Sequence, residues 1–411
     1  MTYAERSAAE GLRSWLVVGG AFLAMFAAFG SKYAFAAFFR PLEVAFGAGR
    51  AEIALIFSIC AAAYLTLGAI TGLLADRFGP RPLLAAGTLL LSGSLFLAGS
   101  AGSLTDLYLV YGIGAATGIA CIYVPAVSSV QGWFDGNRAL ASGLAVAGIA
   151  VGTLVMPMAA AAFIAGFGWR EAYPALAAVA LALGACATLL VDRRPEAAAT
   201  PALRRFLNPD TRAALRSPVF ARLYLANTVL SFGLFIPFVH LEPFARDAGL
   251  TPERAVLLVG LIGIGSIVGR FLIGSAADRF GRRRALTAML AGIGVSQLCW
   301  PLADSFAGLA AFALVFGAVY GGYAATIPPV CADYFGGARL SGIIGCLYTS
   351  VAIGTLAGPV LAGLAHDLTA SYTVPILGGG ILSLLAALLV ATMMSPAAWQ
   401  ARAMAQQPGP G

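Results

Sequence analysis

Apolar residues in this chain come in long runs separated by short polar stretches, with no sustained alternation of period two. The runs fall near 14–39, 52–74, 83–101, 107–132, 139–165 and 172–191, then near 219–244, 255–277, 286–303, 307–331, 340–364 and 372–394. A hydrocarbon core about 30 Å thick takes about 20 apolar residues of helix to cross. The pattern therefore predicts an all-α membrane protein of twelve transmembrane helices. The first run, beginning near Trp15, is too long for a signal-peptide core and is expected to stay as an anchor. Residues 192–218, rich in Arg and Pro, read as a cytoplasmic linker with room for one short surface helix. They divide an N-terminal half (1–191) from a C-terminal half (219–396), and 397–411 form a cytoplasmic tail.

The halves repeat one another. Gly72, Asp76, Arg77, Phe78, Gly79 and Arg81 recur 202 positions later as Gly274, Asp278, Arg279, Phe280, Gly281 and Arg283. Gly152, Thr153, Leu154 and Pro157 recur at the same offset as Gly354, Thr355, Leu356 and Pro359. Phe134, Gly136 and Arg138 return as Phe335, Gly337 and Arg339 at an offset of 201. Offsets that agree to within one residue across three separated segments imply two parallel six-helix repeats related by an axis along the membrane normal.

Composition narrows the class. The chain is 60% hydrophobic and 10% charged, where a soluble domain carries about a quarter charged residues. Its net charge of +7 is spread without aromatic interleaving, which excludes a nucleic-acid surface. With both termini cytoplasmic, 18 arginines fall inside and only five (Arg40, Arg50, Arg170, Arg246 and Arg254) fall outside. The positive-inside rule supports that orientation in a cell inner (plasma) membrane. The six cysteines (Cys60, Cys121, Cys186, Cys299, Cys331 and Cys346) lie in apolar runs without metal or pairing spacing and read as inert packing. No metal or other cofactor is expected, and the spans hold no histidine cluster, paired acids or nucleophile–base set that would suggest an enzyme.

Two cations remain inside the spans. Arg270 lies eight residues before Asp278, about 12 Å of helix from the membrane surface, and Lys32 is the chain's one lysine. A charge at mid-membrane costs roughly 2.5–3.5 kcal/mol even on insertion-based scales. Nearly all 18 acids map to loops or helix ends, so neither cation has an evident carboxylate partner in the sequence. Both break the repeat, since Arg270 corresponds to Gly68 and Lys32 to Leu234. Two such cations call for an anion from outside the chain. Tyr123, Tyr33, Ser266, Tyr320, Tyr323 and Tyr348 are the expected polar lining around them. His240, near the end of the seventh span beside Glu242, is a candidate proton relay, while His366 beside Asp367 reads as a loop residue.

The doubled motif GLLADRFGPRP (72–82) and GSAADRFGRRR (274–284) resembles the loop signature of the major facilitator superfamily. The resemblance covers the whole chain and implies its twelve-helix fold, with the motif (Gly72, Asp76, Arg77, Gly79, Arg81 and Gly274, Asp278, Arg279, Gly281, Arg283) as an interhelical latch. Within the superfamily, the first span (LVVGGAFLAMFAAFGSKYAFAAFFRPLE), the eighth (GIGSIVGRFLIGSAADRFG) and CIYVPAVSSVQGWF of the fourth resemble the monocarboxylate transporter family and the related oxalate/formate antiporters. Ser266 stands where the animal members carry an acid, and Tyr33 aligns with their first-span lysine, one residue after Lys32. The uncharged Ser350 and Val351 stand where the oxalate exchangers add a lysine, which points away from a dicarboxylate.

The resemblance implies proton-coupled symport of a lactate- or pyruvate-like monocarboxylate by a monomer embedded in lipid. Arg270 would grip the carboxylate bidentately. Lys32, whose ammonium can release its proton where a guanidinium cannot, would carry the coupled proton with His240 as the other candidate. Proton-independent organic anion exchange is the nearest alternative. A drug exporter lacks its usual intramembrane carboxylate here, and a sensor would bind without transporting.

Overall fold

A computed structural model describes residues 3–134, 138–192, 209–336 and 340–405, with the side chains at 3–10, 69, 76, 132, 138–139, 209–211, 273–278, 340–342 and 402–405 outside the description. Its crossings are named α1–α12 here. The first, α1, comprises Tyr3–Tyr33 and Phe35–Phe46; α2 is Arg50–Phe78 and α3 is Pro80–Ala98. Crossing α4 runs through Leu104–Leu107, a π-helical stretch Tyr108–Ala115 and Ala116–Trp133. The 53-residue helix Arg138–Leu190 supplies both α5 and α6, because Gly168 breaks it at φ 81°. Its apolar part alone spans 51 residues, about 75 Å of helix, which is two bilayer crossings. Eleven apolar helices among the described residues thus make twelve crossings.

The second half repeats the plan. Crossing α7 comprises Pro218–Leu234 and Ile236–Asp247; α8 is Pro252–Phe280, α9 Arg282–Cys299, α10 Phe306–Phe335, α11 Leu340–Thr369 and α12 Thr373–Ala391. Two short helices, Pro209–Leu215 and Pro396–Ala405, flank this half. The halves meet along α2 against α11 and α5 against α8. An even number of crossings puts both termini on one side; the opposite side is called distal below.

The repeat offset is visible in the packing. Gly152 of α5 abuts the α1 backbone at Phe26 and Gly30, and Gly354 of α11 abuts the α7 backbone at Ser231 and Phe232. The first helix of each half is also interrupted at equivalent places, after Tyr33 and after Leu234. Each interruption frees carbonyls that a neighbour then serves. Pro237 has no N–H for the Gly233 carbonyl, and Gln297 Nε2 of α9 donates there instead at 2.7 Å. In α1 the Tyr111 hydroxyl lies 3.1 Å from the carbonyls of both Ser31 and Lys32.

The motif loops join α2 to α3 and α8 to α9. In the second, Arg283 donates to the Ala391 carbonyl at 2.9 Å and to that of Met393, fastening the loop to the end of α12. Arg282 pairs with Asp333 of α10 at 2.8 Å. In the first, Arg77 and Arg81 are exposed.

Candidate functional site

Arg270 is carried into the bundle by unusually close packing of α8 on α10. A methyl group added to Gly265 or Gly269 would overlap the carbonyls of Leu314 or Ala318, and one on Gly317 or Gly321 would overlap those of Ile262 or Ser266. Four glycines thus bring the two backbones together and fix the register of α8. Arg270 is partly exposed, and its Nε donates to Ser266 Oγ one turn earlier at 3.3 Å. Among the described residues that is its one hydrogen bond, and no carboxylate lies within ion-pair distance.

The tyrosines expected around it converge. The Arg270 charge acts on Tyr33 of α1, Tyr123 of α4 and Tyr348 of α11. Tyr320 of α10 is near enough to interact with Tyr33, Tyr123 and Tyr323. Tyr123, Tyr320 and Tyr348 keep some exposure, whereas Tyr33 and Tyr323 are buried. Tyr323 donates to Asn227 Oδ1, which commits its hydroxyl to holding α10 on α7. Ser266 is buried beneath the arginine.

Lys32 sits beside this cluster in different surroundings. The residue is 1% exposed, and its ammonium has no hydrogen-bond partner. Nζ instead lies 4.7–4.9 Å from the ring centroids of Tyr33, Phe57, Tyr64 and Phe235, and 6.0 Å from Phe29. Ring faces carry negative potential, and each such contact is worth about 0.5–2 kcal/mol. Tyr33 is common to both cations. Sequence reasoning missed Phe57, Tyr64 and Phe235, although Phe57 and Tyr64 share one face of α2 with Cys60 at helical spacing.

Aromatic side chains from both halves close the distal side of the cluster. Tyr33 stacks on Phe238 at 4.8 Å between centroids, Phe57 meets Phe235 at 6.4 Å, and Phe238 meets Tyr320 at 5.2 Å. Beyond them the halves are clasped. Arg50, at the start of α2, pairs with Asp247 at the end of α7 through Nη1 at 2.5 Å and Nη2 at 2.8 Å. Asp367 of α11 accepts from the backbone N–H groups of Arg50 and Ala51 at 2.9 and 3.0 Å. His366 is not in a loop: α11 continues through it, and its ring lies 3.6 Å from Asp247 Oδ2.

His240 belongs to the clasp. Its Nε2 lies 2.7 Å from the Pro359 carbonyl, which can only accept, so this nitrogen carries the proton. Nδ1 therefore accepts from the Tyr372 hydroxyl at 3.0 Å, and that oxygen accepts from Arg50 Nη1 at 3.0 Å.

The sequence profile of the Major Facilitator Superfamily matches residues 21–264 and again 223–408. The chain belongs to this superfamily. Its relatives include monocarboxylate transporter 13 of Bos taurus, 30% identical over 89% of this chain and 85% of the relative. Monocarboxylate transporter 3 of Rattus norvegicus is 30% identical over 89% of this chain and 76% of its own length. The MFS transporter asaE of Aspergillus flavus is 30% identical over 88% and 82%. Among solved structures, a bacterial homologue of the human lysosomal transporter Spinster, inward-facing and unoccupied, superposes with a TM-score of 0.73 over 97% of this chain and 99% of that one. At 15% identity that likeness concerns the fold alone. The chain is thus a multi-pass membrane transporter of the superfamily, not an enzyme.

Proposed function

We propose that this transporter carries small monocarboxylates of the lactate or pyruvate kind by proton-coupled symport with alternating access. The observation that carries the reading is the Arg270 guanidinium, held among tyrosines with one serine hydroxyl as its hydrogen-bond partner among the described residues. A carboxylate offers the two parallel acceptors that such a fork is shaped to receive. Tyr33, Tyr123, Tyr320 and Tyr348 would surround the substrate, and Ser266 would steady the arginine. Lys32 would supply a second, proton-releasing positive charge behind Tyr33, while His240, with both ring nitrogens engaged in the clasp, is not assigned the coupled proton. The names of the relatives support a monocarboxylate, and the uncharged Ser350 and Val351 favour it over a dicarboxylate.

The arginine bias assigns the termini to the cytoplasm, so the distal clasp closes the outer face. Reconstituted vesicles loaded at alkaline pH and diluted into acid medium test the whole proposal. Wild type is expected to accumulate labelled lactate, and Arg270→Lys to lose about tenfold or more in uptake, the value of roughly 1.4 kcal/mol of lost bidentate contact. Lys32→Gln is expected to retain lactate counterflow and lose the response to the pH gradient. Full uptake in the first variant ends the substrate role of Arg270, and intact pH response in the second ends the proton role of Lys32.

A further inference from the structure

Glu242 is the one acid buried deep within a described crossing that the site above does not use. It lies in the second segment of α7, is 3% exposed, and its Oε2 has no hydrogen-bond partner. Two residues away, His240 has both nitrogens satisfied. A proton added there would turn Nδ1 into a donor facing a hydroxyl that already accepts from Arg50, and would bury a cation beside that arginine. The charges acting on Glu242 are Arg246 on its own helix, Arg40 of α1, Arg50 of α2 and the Asp247 carboxylate. The arginines of the other half are already engaged: Arg40 with Glu43 at 2.7 Å, and Arg50 with Asp247 and, at 3.5 Å, with Glu43. Arg246 donates to the Leu250 carbonyl at 3.1 Å. The remaining charged or titratable groups near this end of the helices packed on the segment are Glu253 and Arg254 at the start of α8 and His366 and Asp367 at the end of α11.

We infer that Glu242 is a proton-binding site of the distal gate, taking up one proton as the two halves close over it and releasing it when they part. A carboxyl group with one oxygen buried and served by no donor is less costly to bury as the neutral acid than as the anion. Parting the halves withdraws α1 and α2 from this segment and admits water, so the open form tolerates the carboxylate. The step is simple in balance: carboxylate plus a proton from the bathing water gives the carboxylic acid, and the reverse restores both. Acid therefore favours the clasped form. The inference rests on the transport reading only for the assignment of the distal face as outer; there, protons arriving from outside would help the gate shut behind its cargo.

The test reads distance and needs no transport. Spin labels at Val44→Cys and Val374→Cys, both exposed at the distal end, are placed in a cysteine-free version of the full chain. Double electron–electron resonance then gives the ratio of clasped to parted forms as pH is varied. Wild-type Glu242 is expected to change that ratio by up to about tenfold per pH unit, the limit for one linked proton. Glu242→Gln, a permanent stand-in for the acid, should remain clasped throughout, and Glu242→Asp should keep a pH response with a moved midpoint. A flat wild-type profile, an unchanged slope in Glu242→Gln, or a slope abolished by His366→Gln instead would each overturn the inference. If the gate responds as expected while lactate uptake fails, the fault lies with the proposed substrate and not with the gate.

Discussion

Lys32 and Arg270 are both cations inside the bundle, yet their neighbours differ in kind. Rings enclose the ammonium, and a serine hydroxyl meets the guanidinium. A buried charge without a hydrogen bond weakens a fold, so Lys32→Met should leave the thermal unfolding temperature of the purified protein equal or higher while reducing substrate transport. A large drop in that temperature would mean that Lys32 serves the fold. The positions of both cations could be read from the sequence, because charge within an apolar run stands out against its background. The tyrosines were also legible as a set, though not their individual duties: nothing in the sequence says that Tyr323 points at Asn227 and not at Arg270. Phe57, Tyr64 and Phe235 escaped notice because an aromatic in a membrane span looks the same whether it fills space or faces an ammonium.

At the level of the helices, α8 and α10 touch backbone to backbone, and the site depends on that contact. Gly269→Val would push the helices apart where Ala318 now sits, at a cost of about 1–3 kcal/mol, and displace Arg270. The expected result is a lower unfolding temperature together with a raised KM, while Gly93→Val, at a position with open space, should change neither. Gln297→Leu tests a different support, the side-chain donor to the Gly233 carbonyl at the break in α7. Losing it should cost about 1–3 kcal/mol of stability, visible in the same melting assay. Most crossings were legible from run length alone, because lipid demands it of every one of them. The break inside α1 was not. Ala34 is an ordinary helix former, and the interruption there becomes intelligible only with Tyr111 in place beside it.

Across the whole molecule, the halves are joined at the distal end by a few polar residues, and Arg50 is the centre of them. Its side chain is 5% exposed but Asp247 is 40% exposed, so solvent screens part of the pairing. Arg50→Ala should therefore shift the balance toward the distally open form by about 1–2 kcal/mol, roughly tenfold, in the same distance measurement. The two-half architecture could be read from the repeat offset, since duplicated packing preserves duplicated sequence. The clasp could not, because Arg50, Asp247 and Asp367 are far apart along the chain and each looks like an ordinary helix-end charge. Lys32 gives the closed architecture one more use. It is the sole amine-bearing side chain in the protein, and it is sealed behind the aromatic plug. A small acylating reagent that ignores thiols and hydroxyls would thus find, apart from the chain's own terminus, a single target, and the speed at which it is tagged would clock how often the interior admits a visitor.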